Sequence, residues 1–327
     1  MINYKNKNVL VTGGTGMIGR ELVKLLLSMK ANVRVVSLDS PEGLPENTQF
    51  IHADLTDYNQ CLNVCDGMDS VFSLIGIKGS PLMCQKRPAT FMDPTVLFSF
   101  NMLRAAKKCG VKRYLFTSSV GVYSPSEIFN EDDVWKTMPS ENDWYSGWAK
   151  RIGELQVSAY KKEFGWNEIA IVRPANVYGL YDNFSHEDAM VIPSLVRRAV
   201  NGDNPFVVWG DGTSIRDFIH ARDVARGMLI VMDKMPEYPV NLGSGKGVAI
   251  KDIVEIINSY MNNSLNIVYD TSRPFGDKKR LMNTQRAESL GFIPEIPLNE
   301  GISEVIEWYR NNKDVVDKRY NVFFDGK

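Results

Sequence analysis

Apolar positions in the first half of the chain follow two alternating patterns. Short apolar runs such as NVLVTGG and KRYLFTSS predict buried strands. Between them, stretches such as MIGRELVKLLLSM (17–29) carry apolar residues at helical spacing. Strands separated by helices of this length pair in parallel through right-handed crossovers, so residues 1–179 are predicted to form an open, doubly wound α/β domain. The other strand predictions in this half are NVRVVSL, QFIHADL, SVFSLIG and EIAIVRP, and the other helix predictions are 96–110 and a segment that begins near Tyr145.

The pattern changes after Gly179. Segments become shorter, and proline, glycine and asparagine become more frequent. The runs PFVVWG and LNIVYD predict strands, whereas 188–201 and 249–261 predict helices. We therefore expect a smaller, mixed α/β lobe over 180–327, with segments that return to the first domain.

Composition and charge exclude several classes of protein. The 327 residues include 38 basic and 39 acidic residues, and no basic stripe predicts a nucleic-acid surface. No apolar run reaches the ~18 residues that a membrane span needs, and the chain starts without a signal peptide. The four cysteines form no C-x-x-C pattern and there are only three histidines. We therefore expect no metal site, free thiols and a cytoplasmic location.

The segment TGGTGMIG joins the first predicted strand to the first predicted helix. Its glycines, Gly13, Gly16 and Gly19, have the G-x-x-G-x-x-G spacing. Such glycines let the backbone approach a pyrophosphate closely, and the helix start attracts its charge. This context predicts a Rossmann-type dinucleotide site within residues 1–179. The other candidate residues of this loop are Thr15, Met17 and Ile18.

Residues at the end of the second strand bear on the choice of dinucleotide. An acidic side chain there would bind the ribose hydroxyls of NAD, whereas an arginine would favour the 2′-phosphate of NADP. Ser37 occupies the expected position and Asp39 follows two residues later. Because the Asp39 carboxylate would repel a phosphate, NAD is the expected cofactor. Arg20, directly after the last glycine, is the residue that could favour NADP instead.

An ordered set of motifs resembles one family. TGGTGMIG is followed by ADL (53–55), TSSVGVY (117–123), RPANVYG (173–179) and GDGTSIRDFIHARDVARGM (210–228). In this order the motifs resemble the extended short-chain dehydrogenases/reductases, specifically the nucleotide-sugar epimerases, dehydratases and reductases. The stretch NVYGLYDNF…MVIPSLVRR is similar to the GDP-fucose synthases in particular. The resemblance implies a nicotinamide cofactor and a nucleotide-diphosphate sugar that binds to the lobe over 180–327.

The resemblance also implies roles for single residues. Lys150 would hold the nicotinamide ribose, and Pro174 would lie at the nicotinamide end. Asn176, Arg216 and Arg280 match positions that contact the substrate diphosphate. Arginine suits that role because its planar fork donates to phosphate oxygens at two points. Further cofactor candidates are Asp54, Leu55, Leu74, Ile75, Gly76 and Val177, and further substrate candidates are Ser119 and Lys78, which follows a strand end.

The spacing of the catalytic helix departs from the family pattern. In that family a tyrosine phenolate takes a hydroxyl proton, and a nearby lysine lowers the phenol's pKa. Ser119 matches the serine that assists, and Tyr145 and Lys150 are the candidate pair. They are five residues apart instead of four, which puts them about 140° apart on a regular helix. Ser146 stands at the phenol's place, and its hydroxyl would neither reach as far nor ionise.

Three interpretations of this spacing stay open. An irregular or bulged helix start over 143–146 would bring Tyr145 to the site as the acid/base. Alternatively, the enzyme works with Ser119, Lys150 and another group. Or catalysis is lost, and the protein is a dinucleotide-binding regulator or sensor. The candidates for the other group are Glu141, Asp143, Tyr123 and Lys78.

Full epimerase-reductase chemistry of the fucose-synthase kind needs a second acid. His186 is a candidate relay donor, but the usual cysteine is absent from TSSVGVY, because Cys109 precedes that strand. We therefore expect oxidation or reduction at the sugar C4, or epimerisation through a 4-keto intermediate, with a tightly held cofactor. By analogy with relatives, a homodimer is expected to form through helices 95–109 and 146–161.

Overall fold

The computed structural model describes residues 2–77, 79–185, 188–272 and 277–316, together with Tyr320 and Val322. Seven strands form its larger sheet, and every neighbouring pair is parallel. The central strands are apolar and buried on both faces, as a parallel sheet covered by helices requires. These strands are β1 (Asn8–Thr12), β2 (Asn32–Ser37), β3 (Gln49–His52), β4 (Ser70–Ser73), β5 (Arg113–Thr117), β7 (Ile169–Pro174) and β11 (Val240–Leu242).

The strand order is β3-β2-β1-β4-β5-β7-β11, so the order reverses between β1 and β4. Ligands of doubly wound sheets bind in the crevice at such a reversal, beyond the carboxyl ends of the strands. Helices cover both faces, and each face has its own apolar core, which includes Leu22 and Met228 on one side and Met102 and Val157 on the other. The predicted fold class is therefore confirmed. The helices are α1 (Met17–Ser28) and α7 (Ala221–Lys234) on the first face, and α2 (Tyr58–Cys65), α3 (Pro81–Lys86), α4 (Pro88–Lys108) and α5 (Trp144–Phe164) on or beside the second.

The smaller lobe is built around a second, mixed sheet with its own core. Both strands predicted in PFVVWG and LNIVYD are present, and they pair with each other in parallel. The strands of this lobe are β6 (Ile128–Phe129), β8 (Asn176–Tyr178), β9 (Phe206–Trp209), β10 (Ile215–His220), β12 (Gly247–Ala249), β13 (Ile267–Asp270) and β14 (Lys279–Met282). Its helices are α6 (Val191–Asn201), α8 (Ile250–Tyr260) and α10 (Leu298–Val316), whereas α9 (Gln285–Ser289) packs against β11 of the larger sheet.

Segments cross the division at residue 179 in both directions. From the second half, β11 extends the larger sheet and α7 packs against α1. From the first half, β6 pairs with β14, and β8 pairs with β10. Both sheets are thus built from segments of both halves of the chain. Within the described ranges, no helix is both long and apolar enough to cross a membrane.

Candidate active site

The glycine loop lies between β1 and α1, at the carboxyl edge of the larger sheet. Gly13 has a φ of +65°, and a Cβ there would lie 3.3 Å from Ile75 Cα. A Cβ on Gly19 would collide with the Gly13 carbonyl oxygen and lie 2.6 Å from Gly14 Cα, so only glycine permits this packing. Gly16 precedes α1 without a side-chain cap, which leaves first-turn amides for an anion. This cradle fits a dinucleotide pyrophosphate, and Met17 and Ile18 form its first helical turn.

Three of the predicted residues meet beside the loop. Thr15 Oγ1 donates to Ser37 Oγ at 2.7 Å and lies 3.4 Å from Asp39 Oδ2. The Asp39 amide donates to Ser37 Oγ at 3.1 Å, so hydroxyl and carboxylate groups share one edge. The main-chain amide of Tyr320 donates to Asp39 Oδ1 at 2.7 Å. On the neighbouring strand end, Asp54 is exposed and Leu55 is buried.

Arg20 is buried, and its guanidinium is bound to loop carbonyls. Its Nε donates to the Thr15 carbonyl at 2.8 Å, and its Nη2 donates to the Glu42 carbonyl at 2.7 Å. The guanidinium carbon also lies 4.2 Å from the centre of the Tyr181 ring. Through these contacts Arg20 links the glycine loop, the segment after β2 and the smaller lobe.

Lys150 lies where β4 and β5 end. Its Nζ donates to the Thr117 carbonyl at 2.9 Å, and a Cβ on Gly76 would lie 4.0 Å from that Nζ. Burial lowers the pKa of Lys150 to about 8, against the opposing effect of the Glu154 carboxylate. An amine in this position can donate to a ligand in the crevice. The other residues predicted for this end are Leu74 and Ile75 directly after β4, Pro174 at the end of β7 and Val177 within β8.

The start of α5 decides which side chain occupies the phenol's place. Residues 141–143 form a single 3-10 turn, and α5 is helical from Trp144 onward, without a bulge. The Tyr145 side chain is 39% exposed. A Cβ placed on Gly121 would lie 3.5 Å from both Ser119 Oγ and Ser146 Oγ. The structure therefore brings Ser146 to the side of Ser119.

A buried polar network lies behind Ser119 and Lys150. Arg173 donates to both carboxylate oxygens of Glu154, at 2.8 and 2.7 Å. Ser118 Oγ donates to Glu154 Oε1 at 2.5 Å, which ties the end of β5 to α5. Sequence reasoning missed this pair, although Glu154 follows Lys150 by one helical turn and Arg173 directly precedes Pro174. These positions close to predicted site residues are the sequence features from which the pair could have been predicted.

Tyr123, an alternative phenol, belongs to the same network. Its hydroxyl donates to Asn241 Oδ1 at 2.5 Å and accepts from Arg173 Nη1 at 3.1 Å. Burial raises the pKa of Tyr123 to about 12. A buried phenol with both of these partners is a structural group, and it is not available to a substrate hydroxyl.

Two arginines lie side by side on the smaller sheet. Arg216 and Arg280 are register partners on the parallel strands β10 and β14. Arg280 bridges two carboxylates, because its Nη1 lies 2.7 Å from Asp143 Oδ2 and its Nε lies 2.5 Å from Asp277 Oδ2. Burial and the neighbouring Arg280 charge lower the pKa of Arg216. Asn176 Nδ2 donates to the main chain of β10 at 2.9 Å. Arg216 Nη1 donates to the Ile215 and Asp277 carbonyls at 2.8 and 2.6 Å, so two adjacent cations lie beside the start of α5.

Two predicted residues, Lys78 and His186, lie outside the described residues. All four cysteines are free thiols, and burial raises the pKa of Cys84 to about 12. Among the described side chains, no group of three or more His, Cys, Asp or Glu could hold a metal ion.

The fold and the glycine cradle define an α/β protein of the dinucleotide-binding class. The model described as NAD dependent epimerase/dehydratase family matches residues 9–243. The chain belongs to this family, which confirms the resemblance to extended short-chain dehydrogenases/reductases, and it is an NAD(P)-dependent enzyme.

Relatives of known kind match nearly the whole chain. A probable GDP-L-fucose synthase 1 of Oryza sativa subsp. japonica is 30% identical over 320 residues, 94% of this chain and 93% of the relative. The epimerase Mth375 of Methanothermobacter thermautotrophicus has a TM-score of 0.86 at 26% identity, covering 96% of this chain and 95% of that one. The UDP-glucose 4-epimerase of Thermotoga maritima, solved with UDP-glucose, has a TM-score of 0.82 at 25% identity, covering 93% and 99%.

Proposed function

We propose that this protein is a nucleotide-sugar epimerase or reductase that transfers a hydride at the sugar C4, through a 4-keto form, with a tightly held nicotinamide cofactor. The relatives named above include a GDP-L-fucose synthase and an epimerase bound to UDP-glucose, both of which concern sugars carried on a nucleoside diphosphate. The proposal assigns the same chemical class of substrate to this chain.

The adjacent arginines carry the proposal. Arg216 and Arg280 lie in register on β10 and β14, and Arg280 reaches the start of α5 through Asp143. A diphosphate has oxygens that match two guanidinium forks, and each charge-assisted bond is stronger than a neutral one. A ligand held there by its diphosphate would extend its sugar toward Ser119. A protein that only sensed a dinucleotide would have no use for this second anion site.

The residues near the carboxyl edge of the larger sheet then have separate proposed roles in binding the cofactor and the sugar nucleotide. Lys150 would donate to the nicotinamide ribose, which its position beside Gly76 supports. Ser119 would hold the reacting sugar oxygen, and Asn176 would lie near the diphosphate. A bound nicotinamide supplies the hydride chemistry, whereas these side chains orient both ligands and manage the proton.

NAD is the cofactor that the ribose edge favours. Ser37 and Asp39 form a hydroxyl and carboxylate edge with Thr15, and a 2′-phosphate would meet the Asp39 charge. Arg20 is already bound to two carbonyls. We expect NAD⁺ to bind at least about tenfold more tightly than NADP⁺ in titrations, because a phosphate near a carboxylate costs on the order of 1 kcal/mol or more. Equal affinities would contradict this choice.

A homodimer is proposed to form through α4 and α5. The two helices pack against each other, and Gln156 Nε2 on α5 donates to the Phe100 carbonyl on α4 at 3.1 Å. Leu97 on α4 and Leu155 on α5 are 48% and 58% exposed, so apolar surface remains on this helix pair. Light scattering that gives a monomeric mass at micromolar concentration would contradict the dimer.

A cytoplasmic location is proposed as well. The four free cysteines support it, because a reducing compartment keeps thiols unpaired. Fractionation of cells that produce the tagged protein tests this location directly, and recovery with an exported fraction would contradict it.

A ligand panel tests the proposed function. NAD⁺, UDP-glucose and other UDP-, GDP- and CDP-sugars are screened by thermal shift, and cofactor absorbance reports turnover. We expect Arg216→Ala and Arg280→Ala to weaken sugar-nucleotide binding by about 10–100-fold while NAD⁺ binding is kept, since each removes a charge-assisted contact. Arg310→Ala, which removes an exposed arginine paired with Glu307 on α10, is the matched control. Stabilisation by NAD⁺ but by no sugar nucleotide would replace the enzyme with a regulator.

A further inference from the structure

The place of the missing phenol has a defined set of neighbours. Around Gly121, a Cβ would lie 3.5 Å from Ser119 Oγ, 3.5 Å from Ser146 Oγ and 3.4 Å from Asp143 Cβ. Ser146 Oγ also donates to the Asp143 main-chain oxygen at 3.1 Å. Asp143 is therefore a neighbour of the serine that replaces the tyrosine, and its main-chain oxygen accepts that serine's hydrogen bond. Serine alone cannot hold a proton from a sugar hydroxyl, but it can pass one on.

The Asp143 side chain is engaged in an unusual way. Asp143 is the residue that precedes α5, where an aspartate commonly accepts from amides of the first turn. Here it makes no such cap, and its Oδ2 lies 2.7 Å from Arg280 Nη1. Both side chains are largely buried. The Asp143 carboxylate is thus held by Arg280, one of the two arginines that the substrate diphosphate would occupy.

We propose that Ser146 and Asp143 together replace the tyrosine as a proton relay, and that diphosphate binding makes the relay available. This inference rests on the proposed function. The sugar hydroxyl gives its proton to Ser146 Oγ, and the Ser146 proton passes to the Asp143 carboxylate, which becomes a carboxylic acid. The carbon becomes a ketone as its hydride leaves to the nicotinamide cofactor with both electrons of the C–H bond. The reverse transfers restore the alcohol.

The diphosphate acts through Arg280. Before a ligand binds, Arg280 neutralises Asp143 and also contacts Asp277. A diphosphate competes for the same guanidinium donors, so Asp143 loses its partner when the substrate arrives. A carboxylate released from a guanidinium has its oxygens open to accept a hydrogen bond from a neighbouring hydroxyl. Proton transfer is thereby coupled to occupation of the substrate site.

The alternative groups are less well placed. Tyr145 is exposed in the first turn of α5, and Tyr123 is committed to Asn241 and Arg173. Glu141 is exposed and lies in the 3-10 turn before the helix. Among the described candidates, Asp143 is the one whose side chain lies with Ser119 Oγ and Ser146 Oγ around the Cβ position of Gly121.

Binding of UDP and GDP by calorimetry gives the first test, because it does not depend on turnover. Asp143→Asn removes the competitor for Arg280, so we expect the variant to bind UDP or GDP about tenfold more tightly, the scale of one charged hydrogen bond. A purely structural role in holding Arg280 predicts weaker binding. Ser146→Ala, which leaves Arg280 untouched, should bind these nucleotides as the unaltered protein does.

Turnover gives the second test, with NAD⁺ and the sugar nucleotide that responds in the ligand panel. Asp143→Asn and Ser146→Ala should each lose at least ~10²-fold in kcat, and Ser146→Thr should restore part of it. Tighter nucleotide binding together with lost turnover in Asp143→Asn supports the relay. Weaker binding, retained turnover, or a larger loss in Tyr145→Phe than in Asp143→Asn overturns it. If even the unaltered protein binds neither UDP nor GDP, the proposed function itself fails.

Discussion

The Glu154–Arg173 pair offers a test of how the active site is held. The Glu154 and Arg173 side chains are 1% and 0% exposed, and Arg173 donates to both carboxylate oxygens. Glu154→Gln keeps the shape but removes the charge, which leaves a buried guanidinium without its counter-ion. Breaking such a pair costs about 3–5 kcal/mol. We expect a loss of that size in the free energy of unfolding.

Urea unfolding of the cofactor-free protein measures this loss, and a double-mutant cycle assigns it to the pair. Arg173→Met alone strands the Glu154 carboxylate, whereas the double variant has no unpaired buried charge. The double variant should therefore be more stable than the sum of the single losses predicts, by about 2 kcal/mol or more. Additive losses, or a Glu154→Gln loss below about 1 kcal/mol, would refute the reasoning.

The remaining predictions concern the cofactor end. Gly19→Ala should lower NAD⁺ affinity by at least ~10-fold in calorimetry, because its Cβ would meet the Gly13 and Gly14 backbone and displace the loop. Gly67→Ala is its control for fold loss, since a Cβ there meets nothing within 4 Å, although its φ of +72° adds local strain. Burial lowers the pKa of Lys150 to about 8, so between pH 8 and the usual lysine range the unfolded chain binds more protons and stability rises with pH. Lys150→Met should remove this rise in urea unfolding from pH 7 to 10, and parallel curves for the two proteins would contradict it.

Much of the fold follows from local patterns. Apolar runs such as NVLVT and helical spacing in 17–28 fix which segments are strands and helices, and right-handed crossovers then allow few arrangements. The segments that cross between the two halves of the chain are harder to predict from local patterns. Strand β11 has three residues, and nothing in VNL by itself distinguishes the larger sheet from the smaller one. Its place depends on pairing with β7, a contact between residues about 70 positions apart.

The candidate site divides in the same way. The glycine spacing, Ser119 and Lys150 are readable because each belongs to a short motif whose chemistry is local. The Arg216–Arg280 pair and the Asp143–Arg280 contact join distant segments, so no spacing could reveal that they meet. The Glu154–Arg173 pair also joins separate elements, α5 and β7, although each residue lies close to a predicted site residue along the chain.

By itself the sequence determined the doubly wound sheet, the dinucleotide loop and the fact that a serine stands where the phenol belongs, because these depend on neighbours along the chain. Only the tertiary structure decided what surrounds that serine. Burial and charge pairing act through space, and they placed Asp143 and an arginine from the other lobe beside it.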